Sequence, residues 1–214
     1  MAESRPMGLL GVWLHVPPER EEEFNAWYNT EHIPQITSIP GFVSGRRYMA
    51  LEGVPKYLAL YELHNETVTA GQEFQQVLTH PTPWSARMLQ FYKDHRIRTT
   101  YRLIFNIGQP PVKDASYIYI VKMGVPVDVE QDFNDWYNKE HIPGLASVPG
   151  CFRARRFQAI DGQPKYMAVY EIEKPDVITS DAWAKARDTA WTEKIRPHMQ
   201  NLERRVYQLI LPAK

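Results

Sequence analysis

Phe24-Asn-Ala-Trp-Tyr-Asn-Thr-Glu-His-Ile-Pro34 returns 109 residues later as Phe133-Asn-Asp-Trp-Tyr-Asn-Lys-Glu-His-Ile-Pro143. The offset holds without a gap from Phe24/Phe133 to Glu62/Glu171, and 22 of those 39 aligned positions are identical. Chance does not produce such a match, so the chain is a tandem duplication of one unit of roughly 100 residues. Two copies of so long a unit make two packed half-domains, because a solenoid needs more and shorter repeats.

Outward from the motif, each copy reads as the same series of elements. Leu9 to Val16 is a short apolar run suited to a buried strand, stopped by Pro17-Pro18. A helix starts at Pro18, carries Glu19 to Glu23 where its dipole favours negative charge, and runs to about His32. It deforms at Pro34. Phe42 to Leu51 and Tyr57 to Leu63 form an antiparallel hairpin around Glu52-Gly53-Val54-Pro55. Helix follows from about Thr67, interrupted at His80-Pro-Thr-Pro83, and Ile97 to Ile107 is the last strand. Met1 to Gly8 reads as a loose tail and Gly108 to Ala115 as a linker.

The second copy repeats this order. Its strands are at Tyr117 to Met123, Phe152 to Ile160, Tyr166 to Ile172 and Arg205 to Leu211. Its helices run from Asp128 and from about Asp176 to His198, and Asp128 with Gln131 has the spacing of a capping box.

Bulk properties exclude several classes. The 214 residues are 43% hydrophobic, enough for a good core, and the formal net charge is zero with a pI near 7.1. That balance argues against a nucleic-acid groove or an anionic membrane surface. A single cysteine, Cys151, excludes an internal disulfide and a cysteine metal cluster, and reads as a small buried residue. The charged start is not expected to act as a signal peptide, and no apolar run reaches a membrane span. A cytoplasmic protein without metal or redox cofactor is expected. The sequence contains no phosphate loop, dinucleotide fingerprint or Ser-His-Asp signature.

Each unit is therefore βαββαβ, the ferredoxin-like plan in an α+β class, over residues 9–107 and 117–211. Helices cover one face of such a sheet, and the simplest cover for the other face is the second unit's sheet. This order, the duplication and the Phe-x-x-Trp-Tyr-x-x-Glu-His-Ile-Pro…Pro-Gly-Phe pattern resemble the dimeric α+β barrel superfamily, especially its EthD-like members. The resemblance implies antiparallel sheets packed face to face as an intramolecular pseudo-dimeric barrel, with the linker supplying both halves. It leaves the reaction open, since the superfamily spans isomerases, cyclases, lyases, cofactor-free monooxygenases and haem enzymes. Further association into a homodimer of pseudo-dimers is left open too.

On a helical wheel Trp27, Tyr28 and Glu31 share a face with Phe24, and His32 lies on its edge. Glu140 holds the same place among Phe133, Trp136 and Tyr137, followed by His141. A carboxylate facing a core must be paired, hydrogen-bonded or protonated. It is then either a tuned acid or base, or a structural group that pairs with Arg46 or Arg47 (Arg155 or Arg156 in the second copy) or caps backbone amides around the Pro-broken helix end. His32 and His141 suit a base or proton shuttle, or a bond to a carbonyl at the helix end. As metal ligands, one His and one Glu per motif supply two, so a third would have to come from elsewhere. Tyr28, Asn29, Tyr137 and Asn138 are candidates to orient a substrate oxygen, though the aromatics also read as core and the asparagines as caps.

One arginine of Arg46-Arg47 and one of Arg155-Arg156 must point inward, because neighbours on a strand face opposite sides. Arg46 and Arg155 are taken as substrate-binding, against the alternative of salt bridges to Glu62 and Glu171. His80 and His95 each read as solvent-exposed, but they flank the Trp84 segment, a candidate pocket wall of the first unit. The expectation is a small-molecule enzyme. Glu31 and His32, or Glu140 and His141, would move a proton on an aromatic or polyketide-like substrate, as in a lyase, isomerase or cyclase. The alternatives are a cofactor-free or haem-dependent oxygenase and a non-catalytic small-molecule binding protein.

Overall fold

The computed structural model describes residues 6–111 and 113–213. Met1–Arg5 of the expected tail and Val112 of the expected linker lie outside the described residues. In the first repeat the chain runs β1 (Gly8–Leu14), α1 (Glu21–Trp27), a π-helical turn (Tyr28–His32), α2 (Ile33–Thr37), β2 (Phe42–Ala50), β3 (Tyr57–Leu63), α3 (Gln72–Thr79), α4 (Pro83–Tyr92) and β4 (Arg96–Gly108). The second repeat has β5 (Tyr117–Gly124), α5 (Glu130–Trp136), a π-helical turn (Tyr137–His141), α6 (Ile142–Ala146), β6 (Cys151–Ala159), β7 (Tyr166–Ile172), α7 (Asp181–Arg187), α8 (Ala190–Ile195) and β8 (Gln200–Leu211). Each is βαββαβ, with short 3₁₀ turns between elements.

Within the first unit all pairing is antiparallel. β1 is central, bonded to β3 on one side (Gly8↔Leu63 to Leu14↔Tyr57) and to β4 on the other (Gly8↔Arg102 to Leu14↔Arg96). β2 pairs with β3 as the expected hairpin. The second unit repeats this with β5 between β7 and β8, and β6 on β7. The chain divides into compact units of Met1–Arg102 with Leu209–Lys214, and Leu103–Gln208. The division therefore falls inside the last strand of each repeat, rather than in the 108–116 segment. The reason is strand length: β1 offers seven residues and its pairing with β4 ends at Arg102, so the rest of β4 has no partner on β1.

The helices lie on one face of each sheet over an aromatic core. Phe24, Trp27 and Ile33 in the first unit, and Phe133, Trp136 and Ile142 in the second, are wholly buried. The Pro-Gly pair after each α2-type helix is needed where the chain turns sharply. Gly41 and Gly150 have φ of +94° and +87°, and a Cβ on either would meet a valine methyl at 2.7 Å. The expected capping box does not form: Asp128 lies inside a 3₁₀ turn whose leading residue is Pro126, and α5 starts after Val129 with no side-chain cap.

One buried arginine per unit pins helix to sheet. Arg47 donates to Asn29 Oδ1 (2.5 Å) and Asn25 Oδ1 (2.8 Å), with its guanidinium 4.4 Å from the Tyr28 ring centre. Arg156 does the same to Asn138 (2.7 Å), Asn134 (2.9 Å) and Tyr137 (4.2 Å). Both arginines are 1% exposed. Replacing Arg156 by alanine removes two charged hydrogen bonds and strands two asparagine oxygens. Urea unfolding should show a loss of about 3 kcal/mol or more. Lysine should rescue little, because the two asparagines are read by a planar fork.

Candidate functional site

Pro34 and Pro143 shape the motif. Each would set its ring against the carbonyl four residues back in a regular helix. The helix widens instead into the π turns at Tyr28–His32 and Tyr137–His141, with Ile33 N–H bonded to the Tyr28 carbonyl and Ile142 N–H to that of Tyr137. Such turns are frequent at functional sites. A wider turn advances each residue by less than the α-helical angle. His32 and His141 therefore rotate onto the aromatic face, and Glu31 and Glu140 fall behind it.

The histidines stack on the tryptophans. His32 lies 4.6 Å from Trp27 and 4.9 Å from Tyr28, and His141 lies 4.2 Å from Trp136 and 5.1 Å from Tyr137, between ring centres. Nδ1 of both is buried with no hydrogen-bond partner on the protein. Burial holds both imidazoles neutral, with pKa lowered to about 3. Arg47 and Arg96 add to this at His32, and Arg156, Arg204 and Arg187 at His141.

The glutamates do something else. Glu31 Oε1 accepts from Thr82 Oγ1 (2.5 Å), Ser85 Oγ (3.2 Å) and Trp27 Nε1 (3.2 Å). Thr82 in turn caps α4 by accepting from Ser85 N–H at 3.0 Å. Glu140 accepts from Thr189 Oγ1 (2.5 Å), which caps α8 by accepting from Thr192 N–H at 3.1 Å. The carboxylates tie the motif helix to the N-terminus of the following helix. They pair with none of the arginines considered from sequence, and neither lines the cavities beside the histidines. The signal that could have found this is the repeated Thr82-Pro-Trp-Ser85 and Thr189-Ala-Trp-Thr192. Thr189→Val should cost about 1–2 kcal/mol in thermal or urea unfolding, as loss of an N-cap does.

Tyr28 and Tyr137 do line cavities, with His32 and His141. Asn29 and Asn138 are held by the buried arginines. Arg46 and Arg155 lie on the opposite sheet face from Arg47 and Arg156, beside Glu62 (3.4 Å) and Glu171 (3.0 Å), and not in the pockets with the histidines. His80 and His95 are exposed and line neither cavity, although Leu78, Pro81, Ser85 and Leu89 from that region wall the first. Cys151 is half-buried with its thiol pushed up to about 12 by burial. Among the described residues no three His, Cys, Asp or Glu side chains gather as a metal site, and no helix is long and apolar enough to cross a membrane.

The two units differ in the space beside the imidazole. The cavity of the first unit is about 70 Å³ and that of the second about 680 Å³. Paired positions explain it. Tyr92 closes the first, stacked at 5.8 Å on Trp27, and its counterpart is Met199. Leu78 and Leu89 pack into the first core; their counterparts Arg187 and Arg196 instead grip Asp188, the residue that follows α7. The second cavity is walled by Tyr119, Tyr170 and Trp183, whose ring centres lie 5.3–6.0 Å apart.

No protein-family profile and no curated protein sequence matches this chain. Solved structures do. An anthrone oxidase-like protein superposes with a TM-score of 0.66 at 13% identity, over 99% of this chain and 94% of its own. A chlorite dismutase mutant from Candidatus Nitrospira defluvii gives 0.62 at 7%, over 95% and 92%. A ferredoxin-fold protein from Listeria monocytogenes related to antibiotic biosynthesis monooxygenases gives 0.52 at 8%, over 96% of each chain. At these identities the likeness is one of fold, and the fold is the α+β one read from the duplicated sequence.

Proposed function

We propose that this chain is a small-molecule enzyme of EthD-like character working from the cavity of the second unit. There His141 moves a proton on an aromatic substrate, giving lyase, isomerase or cyclase chemistry. The observation that carries this reading is the 680 Å³ aromatic-walled space that has the neutral imidazole of His141 in its wall. A large aromatic-lined cavity with a few polar groups on its wall is the natural place for a ligand.

A base with so low a pKa can still work here. The positive charges that disfavour the imidazolium, Arg156 and Arg204, favour to a similar degree the carbanion or phenolate left by the substrate. The new ion pair offsets the desolvation of both. Tyr137, at the same wall, is placed to orient a substrate oxygen. Glu140 acts as a positioning residue through Thr189, so Glu140→Gln should keep turnover within about tenfold.

Deuterium exchange tests the proton step. Aromatic ketones and phenols, anthrone among them, are incubated with protein in D₂O and read by mass spectrometry. Exchange above the buffer rate that disappears in His141→Gln supports the reading; binding with neither exchange nor turnover leaves a binding protein. The same carbanion could instead give its electrons to O₂, and the likeness to an anthrone oxidase-like protein favours keeping that branch in view. Oxygen uptake during turnover separates the two.

A further inference from the structure

The second cavity carries one cation that the fold does not use. Three arginines line it: Arg187, Arg196 and Arg204. Asp188 and Glu193 neutralise the first two: Asp188 accepts from Arg187 Nε (2.9 Å) and Nη2 (2.5 Å) and from Arg196 Nη2 (2.7 Å), and Glu193 accepts from Arg196 Nη1 (2.6 Å). Arg204 forms no ion pair with any carboxylate among the described residues, yet its charge is felt at Tyr119, Tyr137 and His141. It stands on β8 opposite Val121 of β5, itself part of the cavity wall. Its counterpart opposite Val12 in the first unit, Arg98, lies over the Phe74 ring at 5.7 Å and borders the small cavity there.

We infer that the second cavity selects planar aromatic anions, and that Arg204 is the residue that sets this preference by pairing with the ligand's carboxylate. This deepens the reading of that cavity as a substrate site. The aromatic walls of Tyr119, Tyr170 and Trp183 supply sequence-tolerant stacking area, which cannot by itself distinguish an acid from its amide. A guanidinium fork facing a carboxylate can, because it offers two parallel charged hydrogen bonds. Arg204 is exposed at the cavity's edge, so the pairing is screened by salt and sets a modest preference.

The test uses the full chain and two probes of equal shape, 2-naphthoate and 2-naphthamide, titrated against the intrinsic fluorescence of its six tryptophans, of which Trp136 and Trp183 line the cavity. Naphthoate is expected to bind at least fivefold tighter than naphthamide, with the gap shrinking in 0.5 M salt. Arg204→Met should bring the two affinities together while leaving naphthamide binding and the melting temperature unchanged. Met199→Tyr, which installs the plug of the first unit, should abolish binding of both. Equal affinities in the wild type, or a preference that survives Arg204→Met, overturns the charge selection and leaves the cavity as a site. Failure of both probes to bind, or binding that survives Met199→Tyr, overturns the cavity reading itself.

Discussion

Replacing His141 by alanine or glutamine is expected to lower kcat/KM by about 10² to 10⁴, the usual contribution of a positioned acid or base. The matching change at His32 should leave it within a few-fold. Both imidazoles sit on the same motif, against the same tryptophan, with the same unpartnered nitrogen. Only the second opens on room for a substrate, since Tyr92, Leu78 and Leu89 occupy that space in the first unit. The pH profile gives an independent check. An ordinary histidine base loses activity on the acid side near pH 6.5. With a pKa of about 3, His141 keeps its free base form far lower, so the acid limb of kcat/KM should fall below pH 5. Equal losses at His32 and His141, or an acid limb near 6.5, would remove His141 from the proposed role.

The second large effect is on stability. Unfolded, each imidazole binds its proton near pH 6.5; folded, each does so near 3. Between those values the unfolded chain holds more protons, so acidification favours unfolding. The contribution is intact above pH 6.5 and declines as pH falls toward 3, by up to about 1.4 kcal/mol per pH unit for each histidine. Melting or urea midpoints at pH 7, 5.5 and 4.5 should therefore drop steeply. His32→Gln and His141→Gln, which keep a polar side chain but take up no proton, should each remove about half of the slope. Asp188, whose carboxyl two arginines hold below the usual range, acts in a separate window at lower pH. A wild-type slope unchanged in both variants would mean that the imidazoles are not the groups being charged.

The fold was legible because its signals are local and doubled. β3 and β7 have the expected bounds, whereas the motif helix, expected to stop near His32, continues through Pro34 to Thr37, and its copy through Pro143 to Ala146. The roles within Phe24–Pro34 were less legible. A wheel of regular helix puts Glu31 at the centre of the aromatic stripe and His32 on its edge. The π turn forced by Pro34 exchanges them, and a three-residue cap on a distant helix then claims the carboxylate. Arg46 and Arg47 could not be told apart from sequence, because strand alternation says that they differ but not which faces the helices.

From its residues alone the chain already specified a duplicated βαββαβ plan, with an imidazole, a carboxylate and an aromatic stripe in each copy, because periodicity and turn chemistry act over a few neighbours. Which copy has room to bind anything was settled only in three dimensions. It depends on whether Tyr92 or Met199, Leu78 or Arg187, and Leu89 or Arg196 meets the imidazole across tens of residues of chain. Side-chain volume and charge pairing at those contacts, rather than the shared motif, decide where the cavity lies.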